Sequence, residues 1–279
     1  MRCPNRIIYI FLLLLSYSAF SAKVDTVSTY SPSMDKQIKA VVVTPSGYSE
    51  KNTEFPVVYL LHGYSGNYSD WITKVPEIQI YADRFNLIIV CPDGNFDSWY
   101  MDSPEMPDVN YETYVSRELV DWIDQHYNTI KDKKGRAITG LSMGGHGALY
   151  LAFKHQDIFS QAGSMSGGVD LRPFPENWGI PNLLGSYAEH SERWDKNSVI
   201  NLTHLLTPNS LKIIFACGTS DFFYGVNENL HQKLLNNNIP HTFISAPGGH
   251  TWEFWASTIK YELQFFHENF LNQLIKEKV

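Results

Sequence analysis

Short runs of apolar residues, each closed by glycine, proline or aspartate, alternate along this chain with stretches whose apolar positions recur every three or four residues. The first pattern reads as buried strand and the second as helix. Phe55 to Leu61 (FPVVYLL) ends at His62-Gly63, Leu87 to Cys91 (LIIVC) at Pro92-Asp93-Gly94, and Leu211 to Cys217 (LKIIFAC) at Gly218. Arg136 to Thr139, Phe159 to Met165 and His241 to Ala246 are shorter strand candidates. Val24 to Tyr30 and Gln37 to Thr44 form an opening pair about a turn at Pro32-Ser33. Tyr111 to Tyr127 places apolar residues at 115, 119, 122, 123 and 127, a helical period. Further helices are expected at Ala148 to Phe153, continuing from near Ser142, at Leu230 to Asn237 and at Tyr261 to Ile275. Strand and helix in alternation predict an α/β fold, with a mostly parallel central sheet flanked by helices.

Two segments break the alternation. Asn95 to Asn110 is irregular and carries Trp99 and Tyr100, and Leu171 to Pro208 is rich in proline and tryptophan. Long excursions after strand ends form cover insertions, and in α/β folds ligands bind at those ends. Trp99 and Tyr100, with Trp252 beyond the last strand, are therefore candidate substrate contacts, packing over the sheet being the competing role.

The opening residues have a different character. Arg2 and Arg6 precede an unbroken apolar run from Ile7 to Leu15, and small residues follow to Ala22. That is the pattern of a signal peptide cleaved near Ser21 or Ala22, and the run is shorter than the ~20 apolar residues of a membrane span. Residues 23–279 then form a single expected domain, secreted or periplasmic, since no linker, charge block or repeat divides them. Loss of the two arginines takes the formal charge from −7 to −9, which argues against a nucleic-acid partner. Cys91 and Cys217 lie inside separate strand-like runs and are expected as buried free thiols. The ten histidines show no metal-ligand spacing, and no phosphate-binding glycine motif is present, so neither metal nor cofactor is expected. His146 reads as helix packing.

The strongest chemical signal is Gly140-Leu141-Ser142-Met143-Gly144, with a strand leading in and a helix leading out. A nucleophile elbow needs that context: a turn too tight for side chains on its flanks lifts the serine hydroxyl above the sheet. A serine needs a base, and in this topology the acid and then the histidine follow it in sequence. After Ser142, the strand LKIIFAC ends in Gly218-Thr219-Ser220-Asp221, and the last strand ends in Pro247-Gly248-Gly249-His250. Ser142 is thus the candidate nucleophile, His250 the base and Asp221 the acid, with Asp195 and Glu253 as weaker rivals. The N–H of Met143, at a helix start, is one candidate oxyanion donor. The loop His62-Gly63-Tyr64-Ser65-Gly66 supplies the second, from Tyr64 or alternatively Gly63.

The segments LLHGYSGNYSDW, CPDGNFDSWY, TGLSMGGHGALYLAF, CGTSDFFY and PGGHTWEFW resemble those of the esterase D family, across about residues 37 to 270. That family includes tributyrin, feruloyl and acetyl-xylan esterases, S-formylglutathione hydrolases and mycolyltransferases. By motif the resemblance implies a triad of Ser142, Asp221 and His250, with oxyanion amides at Tyr64 and Met143. It implies a serine ester hydrolase acting on short-chain acyl or cinnamoyl esters, carbohydrate-linked esters among them. An acyltransferase or thioesterase activity is the alternative. A signal peptide departs from the S-formylglutathione hydrolases, which act in the cytosol.

Overall fold

The computed structural model describes residues 21–49 and 53–276. Residues 1–20 of the expected signal peptide lie outside the described residues. Eight strands form one sheet: β1 (Lys23–Ser31), β2 (Lys36–Thr44), β3 (Val57–Leu61), β4 (Ile88–Pro92), β5 (Arg136–Gly140), β6 (Gln161–Met165), β7 (Lys212–Gly218) and β8 (Thr242–Ala246). Their order is β1-β2-β4-β3-β5-β6-β7-β8. β1 and β2 pair antiparallel, β2 joins β4 antiparallel, and every pair from β4 to β8 is parallel. Phe55, expected inside β3, makes only an isolated bridge to Thr129.

The helices are α1 (Asp70–Lys74), α2 (Ile78–Phe85), α3 (Tyr111–Thr113), α4 (Leu119–His126), α5 (Met143–Lys154), α6 (Ile180–Leu184), α7 (Tyr187–Asn197), α8 (Tyr224–Asn236) and α9 (Trp252–Lys276). They cover both faces of the sheet, which is why the central strands are apolar at every position rather than alternately. Val57, Tyr59 and Leu61 face a core shared with α4, α5 and α8, while Val58 and Leu60 face one shared with α2 and α9. Among the described residues no helix is long and apolar enough to cross a membrane. Cys91 on β4 and Cys217 on β7 are buried and unbridged, and burial raises both thiols well above their ordinary pKa.

Several boundaries differ from the sequence reading. The helix expected over 111–127 is α3 and α4 joined by a π-helical turn, Tyr114–Glu118. α8 and α9 begin six and nine residues before the expected starts at Leu230 and Tyr261. The irregular segment 171–208 holds α6, α7 and a 3₁₀ stretch, Val199–Leu205. Pro181 sits in the first turn of α6, where its missing N–H and fixed φ cost nothing. The two excursions also lock onto each other. Ser103 Oγ donates to Leu183 O at 2.8 Å, and Arg193 pairs with Glu105. His146, buried on α5, faces Trp99 O at 3.2 Å and Asn197 O at 2.8 Å.

One buried acid follows from the sheet's geometry. The β5–β6 ladder covers only Ala137–Gln161 and Ile138–Ala162, and the chains meet again at the isolated bridge Leu141–Met165, leaving a gap between. Glu262 of α9 fills the gap, accepting from the Thr139 hydroxyl and from Ser164 N–H at 3.2 Å. A Cβ on Gly163 would lie 2.4 Å from its carboxylate. Burial pushes its pKa up to about 8. The folded state therefore holds a proton that the unfolded chain releases above the ordinary glutamate range. The contribution is complete below that range and is lost as pH rises through about 8, at ~1.4 kcal/mol per pH unit. Glu262→Gln should keep the fold and flatten the fall of thermal midpoint between about pH 5 and about pH 8. Parallel melting profiles for the two proteins would refute this role.

Candidate active site

β5 hands over to α5 within two residues, and Ser142 takes the strain. Its backbone sits at φ 55°, ψ −117°, a region costly for any residue with a side chain. Close packing enforces it. A Cβ on Gly140 would come within 2.7 Å of Gly144 and Leu61 O, and one on Gly144 within 2.5 Å of His62 O. Ser142 N–H donates to Met165 O at 2.9 Å, and Ser142 O accepts from His146 N–H at 2.9 Å. The hydroxyl is thus held at the carboxyl end of the sheet.

β7 and β8 end on the same rim, and their turns are bonded together. Ser220 N–H donates to Gly248 O at 2.9 Å. A Cβ on Gly218 would meet that same oxygen at 2.4 Å, and Gly248 itself has φ 151°. Asp221 is fixed by its N–H to Gly218 O (3.0 Å) and by Phe223 N–H donating to its Oδ1 (2.8 Å). Its side chain has no exposed surface. His250 Nδ1 lies 3.0 and 2.9 Å from the two Asp221 carboxylate oxygens, and Nε2 lies 2.9 Å from Ser142 Oγ. A carboxylate only accepts, so Nδ1 carries the proton and a neutral ring leaves Nε2 free to accept from Ser142 Oγ–H. The ring is packed by Phe222 at 4.2 Å, Trp255 at 4.9 Å and Phe223 at 5.5 Å.

The rivals stand elsewhere. Asp195 is about half exposed and paired to Arg172 at 3.1 Å. Glu253 is exposed, and the Thr251 hydroxyl holds its carboxyl below its ordinary value.

Beside Ser142, neither Met143 N–H at the start of α5 nor Tyr64 N–H has an acceptor among the described residues. Its neighbours Ser65 N–H and Gly66 N–H are engaged by Phe96 O (2.7 Å) and Gly63 O (3.0 Å). Gly63 packs so tightly on Leu141 and Ser142 that a Cβ there would lie 2.5 Å from Leu141 Cδ1. Its N–H has no acceptor either, so both candidates for the second donor stay in place. The loop is locked from below by buried His62. Gly94 N–H donates to Nε2 at 2.7 Å, so Nδ1 is the protonated nitrogen and donates to Gly63 O at 2.8 Å. Burial lowers the pKa of this ring and keeps it neutral.

A cavity of about 240 Å³ opens over Ser142 and His250. Trp99 and Trp252 line it, as do Trp178, Phe222, Asp70 and Lys74, which the sequence did not single out as contacts. Tyr100 does not line it, which corrects the sequence expectation. Its ring is wholly buried, donates its hydroxyl to His62 O at 3.1 Å, and fills space that Gly94 and Gly147 leave open. Trp99 reaches the cavity from a buried position, with φ 50° and Nε1–H donating to Trp178 O at 3.1 Å.

A serine bonded to an imidazole that is braced by a buried carboxylate, all at the ends of parallel strands, is the arrangement of a serine hydrolase on an α/β-hydrolase fold. The chain belongs to the family described as Putative esterase, whose model matches residues 31–266, and it is a serine hydrolase of the carboxylesterase class. It is similar to the acetyl esterase of Caldicellulosiruptor saccharolyticus, 28% identical over 255 residues that cover 84% of this chain and 94% of that protein. It is also similar to the diacylglycerol acyltransferase/mycolyltransferase Ag85A of Mycobacterium tuberculosis, 25% identical over 285 residues, covering 88% and 80%. Among solved structures a ferulic acid esterase matches with a TM-score of 0.77 at 28% identity, covering 90% of this chain and 99% of that one.

The strain at Ser142 has a measurable consequence. Glycine relieves a backbone conformation worth ~1–3 kcal/mol while costing ~0.5–1 kcal/mol in unfolded-state entropy. Ser142→Gly should therefore unfold at higher denaturant concentration than Ser142→Ala. The reverse order would show that the turn is unstrained.

Proposed function

We propose that this esterase hydrolyses short-chain acyl or cinnamoyl esters borne on carbohydrate, through an acyl-enzyme on Ser142. The observation that carries the reading is the unbroken hydrogen-bond chain Asp221–His250–Ser142 opening into a cavity of about 240 Å³. The substrate class draws support from the similarity to an acetyl esterase and a ferulic acid esterase, and from the aromatic lining.

Ser142 Oγ attacks the ester carbonyl carbon as its proton passes to His250 Nε2. Asp221 holds the ring in the tautomer that can accept and stabilises the imidazolium. The carbonyl oxygen gains the negative charge and is met by the N–H of Met143 and that of Tyr64, each worth ~3 kcal/mol of transition-state stabilisation. The carbon–oxygen bond to the alcohol breaks, and His250 gives its proton to the departing oxygen. Water then attacks the acyl-enzyme with His250 as base, releasing the acid and restoring Ser142. His62 acts one step back, by fixing the peptide between Gly63 and Tyr64.

The similarity to a mycolyltransferase favours a second reading, in which an alcohol rather than water takes the acyl group. Product analysis in the presence of a sugar acceptor separates the two. Export is part of the proposal. Ala22 is buried, and its N–H donates to Asp83 Oδ2 at 2.9 Å while Ser46 N–H takes Oδ1 at 2.6 Å. Cleavage after Ser21 would leave a cationic amino terminus on that carboxylate. Amino-terminal sequencing of protein recovered outside the cytoplasm should begin at Ala22, and an intact Met1 would sink this part.

Ser142→Ala and His250→Ala should each lower kcat by at least ~10³ with KM little changed, and Asp221→Asn should also be severe. Full activity in Asp221→Asn would remove it from the triad. A substrate panel decides the rest. Cleavage of naphthyl and nitrophenyl acetates without cleavage of acetylated xylan or methyl ferulate would leave an esterase and discard the carbohydrate reading.

A further inference from the structure

The cavity over Ser142 has two walls of unlike chemistry. One is aromatic and apolar. Trp178 stacks on Phe222 with centroids 5.7 Å apart and planes at 21°, and Trp99 has spent its only donor on Trp178 O. The other wall belongs to α1 and the start of α9. Lys74 Nζ stands 4.7 Å from the Trp252 ring centre and 3.6 Å from Asp70 Oδ1. The second distance is a charge contact, too long for a hydrogen bond. The ammonium donors thus have no protein acceptor within hydrogen-bond reach among the described residues, and the lysine side chain is about half exposed. Asp70 is held by Asn67, whose Nδ2 donates to Oδ1 at 3.2 Å and whose backbone N–H approaches Oδ2 at 3.4 Å. It also abuts the oxyanion loop, since a Cβ on Gly66 would lie 2.6 Å from Asp70 Oδ2. Trp252 is braced by edge contacts with Trp71 (5.3 Å, 80°) and Trp255 (5.4 Å, 85°).

We propose that Asp70, Lys74 and Trp252 form the subsite for the hydroxylated, leaving-alcohol end of the substrate, a sugar ring, and set selectivity for it. The inference rests on the carbohydrate-ester reading above. A donor, an acceptor and an aromatic surface within a few ångströms match a pyranose, which offers vicinal hydroxyls and an apolar C–H face. A plain apolar alcohol would cover the lysine ammonium without offering its donors an acceptor, at a cost. An acidic alcohol would meet Asp70 beside the ammonium that attracts it. The apolar wall is left for the acyl group, so an ester sorts itself across the cavity with its carbonyl over Ser142. These residues touch the alcohol and not the reacting atoms, so they act on binding of one half of the substrate.

The test is the selectivity ratio of full-length enzyme: kcat/KM for monoacetylated xylotriose over kcat/KM for 4-nitrophenyl acetate. Lys74→Met should lower that ratio about tenfold, chiefly through a higher KM for the saccharide ester. Lys74→Arg, which keeps a cationic donor, should recover most of it, and Asp70→Asn should lower it in the same sense. An unchanged ratio in Lys74→Met, or equal losses on both esters, overturns the subsite while leaving the carbohydrate reading intact. Wild-type enzyme that cleaves the nitrophenyl ester and ignores the saccharide overturns both.

Discussion

Everything at the rim depends on one residue held where it would not rest by itself. Ser142 adopts a backbone conformation suited to glycine, and the residues two before and two after it are glycines with no room for a Cβ. The chain can turn from β5 into α5 this sharply only because β3, β5 and α5 meet backbone to backbone. Beside the elbow the β5–β6 ladder is interrupted, between the pair Ile138–Ala162 and the isolated bridge Leu141–Met165. The Thr139 hydroxyl and Ser164 N–H near that gap then turn to Glu262. A buried acid with a raised pKa thus stands next to the elbow, in the interruption between two strands.

The same rim explains how residues far apart in sequence meet. Parallel strands all point one way, so whatever follows β3, β5, β7 and β8 emerges on one edge. Sharing an edge would not fix the geometry to hydrogen-bond precision without further ties. The turns after β7 and β8 bond to each other through Ser220 and Gly248. The loop after β3 is held by His62, itself anchored on Gly94 beyond β4. These ties are backbone contacts that require glycine or a single imidazole tautomer, which leaves little slack.

How far the sequence could be read follows from the length of each physical signal. Runs such as FPVVYLL and LKIIFAC are covered on both faces, so nothing dilutes their apolar signal, and the strands were legible. The elbow was legible because glycine spacing and the strand–helix switch coincide. Asp221 and His250 were legible from their places just past strand ends. α1 and α2, five and eight residues long, are too short to establish a period. Pro173, Pro175 and Pro181 made residues 171–208 look irregular, although proline is at home in the first turn of α6. Tyr100 shows the limit of reading from residue type. An aromatic in an excursion after a strand end suits a pocket, yet this ring fills the space left by Gly94 and Gly147, and only the tertiary structure reveals those vacancies.

The division between what was legible and what was not coincides with a division of labour. Ser142, Asp221 and His250 stand just past strand ends, where register and close packing fix them, and motifs record such constraints. The cavity walls come from α1, from the start of α9 and from the two excursions, which meet each other through side chains such as Ser103, Arg193 and His146. Side-chain contacts of that kind tolerate substitution more readily than a glycine crossing does, so wall residues carry no fixed spacing that a motif could capture. Lys74 illustrates the point. Its place beside Trp252 requires a short helix after β3 and the first turn of α9, far apart in sequence, to converge. The cavity walls in such an architecture can change without disturbing the elbow, because the two are held by different kinds of contact.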